Sequence, residues 1–403
     1  MTDSLDNTIR DTKIINNRPA IVLVLGVLFG FCLSNISSDL FIIAIALALI
    51  VATVLLWRNY SKASLFCLFA LLMLCRVYFF QNIVIDFDSS SVFSWTRSLR
   101  ESLEGNVDSL YGNYSGIVKG LLLGEKYEIP RWLYQIYINN GIIHLFAISG
   151  LHISILCGAI LRVLRGTSRW LKASVLVAFL LLYIIITDFS PSTIRAAIMI
   201  LVVMSAKLAR RKSDYLSAFC IALTVTVLIF PDSVSSAGFL LSYGAMYGIF
   251  MLAPPISDLL GIKHKGLNNL LASGIAVNVT LLPWFAAFFG EVSATAILAT
   301  LLIMPIASLL IVFSMLSVVV FFISPAVAFV VAYVPKGMIY AINWLMQLID
   351  VGTLSIKSPN IASITLWFIG IFFLSPYYLP NRKKLPYVGL VLMGLSILMW
   401  IVF

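Results

Sequence analysis

Charge is what this sequence has least of. Asp, Glu, Lys and Arg make up 11% of its 403 residues, against 61% apolar residues. So few charges cannot cover a soluble domain of this size with polar surface, and the mean hydropathy of +1.04 points the same way. Histidine is also scarce, with only His144, His152 and His264, and there is no HxHxD run and no Cys-x-x-Cys pair. The usual metal-ligand spacings are therefore missing, and no metal or other cofactor is expected. A GxxxxGK[ST] loop is lacking, which removes the standard cradle for nucleotide phosphates. A GxSxG elbow is lacking too. The five cysteines (Cys32, Cys67, Cys75, Cys157, Cys220) all fall within apolar runs, which excludes a disulfide framework in polar loops. The first 18 residues mix acids and bases. The apolar run after them has no small-x-small cleavage site, so it is expected as an uncleaved first span.

What the sequence does contain is apolar runs long enough to cross a bilayer. They cover 19–36, 40–57, 63–80, 142–162, 171–187, 192–208, 215–230, 236–253, 270–289, 294–320, 326–349, 361–375 and 387–402. The expected fold is all-α, a polytopic integral membrane bundle of about 11–13 transmembrane helices. In 294–349, Pro305, Pro325 and Pro335 leave open broken helices or a re-entrant pair. The organisation read from the runs is a tail with three spans over 1–80, an extracytoplasmic amphipathic segment over 81–141, a channel domain over 142–375, and a basic loop with a last span over 376–403.

Lys and Arg set the orientation. If the N-terminus is cytoplasmic and the spans alternate, the clusters Arg10–Arg18, Arg58–Lys62, Arg162–Lys172, Lys207–Lys212, Lys263–Lys265 and Arg382–Lys384 all fall inside, and they hold 18 of the 27 cations. Six fall outside: Arg97, Arg100, Lys119, Lys126, Arg131 and Lys357. Arg76, Arg195 and Lys336 lie within spans or at their edges. The positive-inside bias selects N-in and C-out. It also accounts for most of the net charge of +10 without nucleic acid. In the outer segment, Trp95, Leu99, Leu103 and Val107 recur every four residues, which predicts an amphipathic helix on the outer membrane face or packed on the bundle.

Polar residues inside apolar runs are costly, so they are candidates for function. In "HLFAISGLHISIL", His144 is placed near the outer surface, with Ser149 and His152 about 7 and 12 Å deeper on a continuous helix. Gly150, Ser154 and Gly158 make a small-residue stripe of the kind that lets helices approach closely. Asp188 and Ser190 occupy the turn before Arg195. Ser242, Tyr243 and Asn278 lie in later spans, and Glu291 ends one. Several such groups at one depth predict an outward-facing polar vestibule. A helix-bonding role for the histidines and Asn278, and snorkelling for Arg195, compete with this reading. Ser149 and His152 also have the residue types of a nucleophile and its base, but three residues apart on one helix they are poorly placed to act together.

Five ordered segments resemble the transmembrane competence domain of the ComEC family of DNA-uptake channels. They are "GLLLGEK" at 120–126, "GIIHLFAISGLHISIL" at 141–156, "PSTIRAAIM" at 191–199, "FLLSYGAMYGIFML" at 239–252 and "FFGEVSATAILATLLIMPIASLL" at 288–310. The resemblance implies a multi-pass channel of the bacterial cytoplasmic membrane that carries single-stranded DNA inward and is not itself an enzyme. It implies a substrate path over His144, Ser149, Gly150, His152, Asp188, Arg195, Ser242, Tyr243 and Asn278, with Tyr243, Trp284 and Phe285 available for base stacking. It implies membrane lipids, an outer DNA receptor, a cytoplasmic DNA-motor ATPase and a homo-oligomer as partners. The stretch 81–110 is too short for the family's outer β-domain, and the missing HxHxD run leaves two alternatives, a separate nuclease that degrades the other strand or a reduced or different role for this member. The alternative is a transporter or intramembrane enzyme for another polar polymer or lipid on the same scaffold.

Overall fold

The computed structural model describes residues 19–34, 49–50, 53, 61–79, 94–125, 127–146, 150–187, 189–375 and 385–402. Almost all of these are helical. The chain divides into two compact units, Met1–Phe87 with Ile194–Phe239, and Asp88–Thr193 with Leu240–Phe403.

The first unit contains α1 (Pro19–Ser34) and α2 (Ser61–Phe79). These helices pack backbone to backbone, because Gly26 and Gly30 put no side chain between them. A Cβ on Gly26 would lie 2.5 Å from the Phe66 carbonyl oxygen, and one on Gly30 would strike that of Ala70.

Between the halves of this unit, the second unit begins with α3 (Ser94–Tyr111), a 3₁₀ turn (Gly112–Tyr114), α4 (Ser115–Leu122) and α5 (Arg131–Asn139). A second 3₁₀ turn (Ile143–Phe146) precedes α6 (Gly150–Val163) and α7 (Arg169–Ile186).

The chain then returns to the first unit through α8 (Pro191–Leu208), α9 (Tyr215–Ile229) and a 3₁₀ turn (Pro231–Ser235). Arg76, at the end of α2, donates from Nε to the Leu228 carbonyl at 3.1 Å and from Nη2 to that of Ile229 at 3.3 Å. It thus satisfies the open carbonyls at the end of α9.

The rest is in the second unit, apart from the first residues of α10. The helices are α10 (Ala237–Met251), α11 (Ala253–Leu260), α12 (Lys265–Phe289), α13 (Ala296–Phe321), α14 (Pro325–Ile349), α15 (Ile361–Leu374) and α16 (Leu385–Val402). Strands β1 (Glu291–Ser293) and β2 (Thr353–Ser355) pair antiparallel. By length and composition α7, α12, α13 and α14 can each cross a membrane. Helices α10 and α11, bent by 47° where Pro254 and Pro255 enter the first turn of α11, make a fifth span if counted together. Shorter apolar helices supply the rest, so the chain is a helical membrane bundle.

In 294–349, α13 and α14 are two unbroken helices. Pro305 and Pro335 lie inside them, and Pro325 starts the second. A first-turn proline gives up a donor that has no partner anyway, and interior prolines are tolerated where neighbouring helices pack around the freed carbonyls. Helices α15 and α16 cross at paired glycines. A Cβ on Gly370 would meet the Gly389 oxygen at 2.9 Å, and one on Gly389 would meet that of Gly370 at 2.7 Å.

Two expectations change. The apolar run 142–162 is not one straight helix: the 3₁₀ turn at 143–146 precedes α6, which starts at Gly150. Depths counted at a uniform rise from His144 therefore do not hold. The stripe of Gly150, Ser154 and Gly158 is no close helix contact either, because Ser154 and Gly158 are exposed and a Cβ on Gly158 would meet nothing within 4 Å.

In the second unit, loops that the sequence assigns to one side of the membrane gather at one end. Arg100 Nη1 reaches the Ile186 carbonyl at 3.4 Å, and Asn139 Nδ2 reaches Asp350 Oδ2 at 3.2 Å. Thr295 Oγ1 donates to Asn140 Oδ1 at 3.0 Å, and the Trp400 indole donates to the Lys357 carbonyl.

Candidate functional site

Helices α3, α4 and α5 form a cap that starts at that end, at Arg100 and Asn139, and continues down one side of the bundle, where Tyr111 reaches Ser317 about 31 Å along α13 from Ala296. Helix α3 is amphipathic as its spacing predicts: Val107 and Leu110 are buried, and Arg97 and Glu101 pair on the exposed side. It packs on α13 and α14, and Tyr111 Oη lies 2.6 Å from Ser317 Oγ of α13. The helix is therefore docked on the bundle, one of the two placements left open by its sequence.

Helix α4 is buried from Gly116 through Leu122, including Lys119, which is 3% exposed. Gly116 lets the following loop pass close over the helix, since a Cβ there would sit 2.6 Å from the Glu128 oxygen. Lys119 Nζ then reaches Asp108 at 2.8 Å and Glu128 at 2.8 Å. Burial pushes the lysine pKa down, but the hydrogen bonds and charges of Asp108 and Glu128 outweigh this and leave it raised.

A second cluster lies beside it. Arg100 Nε donates to Glu104 Oε1 at 3.0 Å, and its guanidinium also grips Glu125. Burial raises the Glu125 pKa, but the hydrogen bonds of Arg100 and Glu104 outweigh burial and leave it lowered. Glu104 moves the other way, raised by burial and by its carboxylate neighbour. A buried lysine inside the apolar stretch "SGIVKGLLLG" was the available sequence signal for this cap, and counting Lys119 only as an outer charge missed it.

Next to the cap, α12, α5 and the strand pair enclose a cavity of about 190 Å³. Its polar groups include Asn278, Glu291, Ser293 and Thr353, and Phe285, Phe289 and Trp367 supply aromatic walls. Glu291 Oε2 accepts from Thr353 Oγ1 at 2.8 Å, across the paired strands. Asn278 Nδ2 donates to the Gly274 carbonyl at 2.9 Å.

The residues singled out from sequence are dispersed over both units. Asn278 and Glu291 share the cavity. His152, in the first turn of α6, is buried at 2% exposure but does not line it. Tyr243 is buried in α10 and Ser242 is half-buried beside it. Gly150 opens α6. Arg195 is buried in α8, within the first unit. Glu291 accepts from Thr353, while Asp188 and Ser149 lie outside the described residues, as does the side chain of His144. Of the aromatics, Phe285 lines the cavity, whereas Trp284 stacks on Phe288 with ring centroids 5.8 Å apart.

A capped bundle of apolar helices with buried polar groups defines a multi-pass membrane protein. The chain belongs to the competence protein family, whose profile matches residues 121–380. It is 27% identical over 211 residues to ComE operon protein 3 of Bacillus subtilis (strain 168), covering 52% of this chain and 27% of that protein. It is 22% identical over 236 residues to the uncharacterized protein YcaI of Escherichia coli (strain K12), covering 55% of this chain and 31% of that one. The aligned parts thus span less than a third of either relative. No solved structure matches the chain.

Proposed function

We propose that this protein is a channel of the bacterial cytoplasmic membrane that passes single-stranded DNA into the cytoplasm during natural transformation. The observation that carries the reading is the competence-family match over 121–380, which includes four of the five motif segments whole and most of the fifth. A polyanion crossing a bilayer needs a wet, polar route with cations along it. His144, Ser149, Gly150, His152, Asp188, Arg195, Ser242, Tyr243 and Asn278 are proposed to border that route. The protein acts without chemistry of its own. An outer receptor delivers the DNA, a cytoplasmic motor ATPase draws it in, and a separate nuclease removes the other strand.

Deleting the gene should abolish uptake of labelled DNA. Arg195→Lys keeps the charge but loses the planar fork that grips phosphate. This variant and His152→Ala should each reduce uptake severalfold with membrane levels unchanged. Normal uptake in both Arg195→Ala and His152→Ala cells sinks the route. Loss of protein together with uptake assigns these residues to helix packing instead.

The proposed orientation is N-in, with the cap outside. A reporter active only outside the cytoplasm should be active when fused at Asn113 and silent at Lys212. The reverse pattern overturns the orientation and turns the cap inward.

A further inference from the structure

Helix α14 buries one side through Ala328, Ala332, Pro335, Ile339, Ile342 and Met346, and α13 packs along it. The other side is exposed, and on it aliphatic residues such as Val330 at 68% and Leu348 at 65% are mixed with a stripe of aromatic rings. Tyr333, Tyr340 and Trp344 are 72%, 65% and 57% exposed. Gly337 and Gln347 lie between and beyond them, also exposed, and Phe329 extends the stripe toward the start of the helix. At the edge of the stripe, Lys336 holds its ammonium 5.6 Å from the centre of the Tyr333 ring.

Most of this face suits hydrocarbon, but Lys336 does not. Lys336 lies eleven residues from one end of α14 and thirteen from the other, about 17 and 20 Å along the axis. A lysine side chain does not reach the interface over that distance, so snorkelling does not relieve its charge. No carboxylate relieves it either. Among the described residues none lies within ion-pair distance of Lys336. Helices α1, α2, α6 to α10 and α12 to α16 contain no Asp or Glu. A second copy docked on this face would bring no anion from those helices.

We infer that the exposed stripe of α14 is a contact surface for a single-stranded nucleic acid, with Lys336 meeting phosphate and Tyr333, Tyr340 and Trp344 stacking bases. The inference rests on the DNA-channel reading and adds to it a wall absent from the residues proposed above. A cation interleaved with aromatic rings on one rigid face is the combination that holds a single strand without sequence preference, because every base has a π-face. The helix makes the spacing regular: the three rings lie at seven- and four-residue steps, so the platform repeats along the membrane normal.

The test uses the full chain in lipid nanodiscs and a labelled oligothymidylate. A photocrosslinking residue replacing Tyr340 should form an adduct with the oligonucleotide, whereas one replacing Leu309, exposed on α13, should capture lipid. Trp344→Ala and Lys336→Met should each weaken oligonucleotide binding about tenfold, with Lys336→Arg near the parent. All these side chains sit at or beside an exposed face, so membrane level and melting should not change. In cells, Lys336→Met combined with Trp344→Ala should cut DNA uptake at least about tenfold. Crosslinks at position 340 to a second copy, or to lipid alone, overturn the inference. So does normal uptake in the double variant when the deletion strain takes up none, which leaves the channel reading intact. Normal uptake in the deletion strain overturns the channel reading and this one with it.

Discussion

Lys119→Met should loosen the cap and lower the melting temperature of the detergent-solubilised protein. The ammonium is almost fully buried in α4 and binds Asp108 and Glu128 at once. Methionine keeps the length and apolar character of the stem, so the change isolates the charge. Two carboxylates then face each other without their shared donor. Removing one partner of a fully buried pair costs roughly 3–5 kcal/mol, but Asp108 and Glu128 are about half exposed and water takes part of the load, so about 2 kcal/mol is expected. The pH dependence follows from the raised lysine pKa. A group whose folded pKa lies above its unfolded value contributes stability that is complete below the unfolded value, about 10.5 for lysine, and that is lost as pH rises through the folded one. The gap in melting temperature between parent and variant should therefore be constant at neutral pH and shrink above about pH 10.5. A gap that persists unchanged at high pH assigns the loss to packing and removes the ion cluster as its cause.

Gly248→Leu should prevent α10 from seating on α12 and strongly reduce the amount of protein in the membrane. A Cβ at this position would lie 2.5 Å from Thr280 Oγ1, 2.9 Å from its Cβ and 3.0 Å from the Ala276 carbonyl oxygen. Thr280 is fully buried, and Ala276 presents backbone, so neither can move aside without displacing α12. Overpacking of this kind costs roughly 1–3 kcal/mol even where side chains can adjust, and more where backbone blocks the way. Gly274→Ala is the matched control, since a Cβ there meets nothing within 4 Å and alanine favours helix. Equal membrane levels of Gly248→Leu and the parent refute the close approach of α10 and α12.

Several features of this protein are legible in its sequence alone. The class follows from composition, because so few charges leave no means of building a soluble surface. The amphipathic helix at 94–111 follows from a four-residue period, which survives folding because a helix turns its residues at a fixed rate. Motif order at 120–310 carried the family, and it needs no geometry.

Other features were not legible. The run 142–162 reads as one span, yet a 3₁₀ turn precedes Gly150, with Phe146 wholly buried and its ring 4.7 Å from that of Tyr137. Tertiary packing outweighed a local apolar pattern there. The glycines that matter, Gly26, Gly30, Gly248, Gly370 and Gly389, differ from Gly158 only in what faces them, and one sequence does not state what faces a residue.

The sequence by itself determined that this is a helical membrane protein, that 94–111 is an amphipathic helix, and to which family the chain belongs, because hydropathy, period and motif order are properties of the chain taken in line. Only the tertiary structure decided that Lys119 bridges Asp108 and Glu128, that Asn278 and Glu291 line one cavity while His152 does not, and which side of α14 is left open. Each of these is a contact between segments far apart in the chain, and such contacts are settled by competing packings over the whole fold.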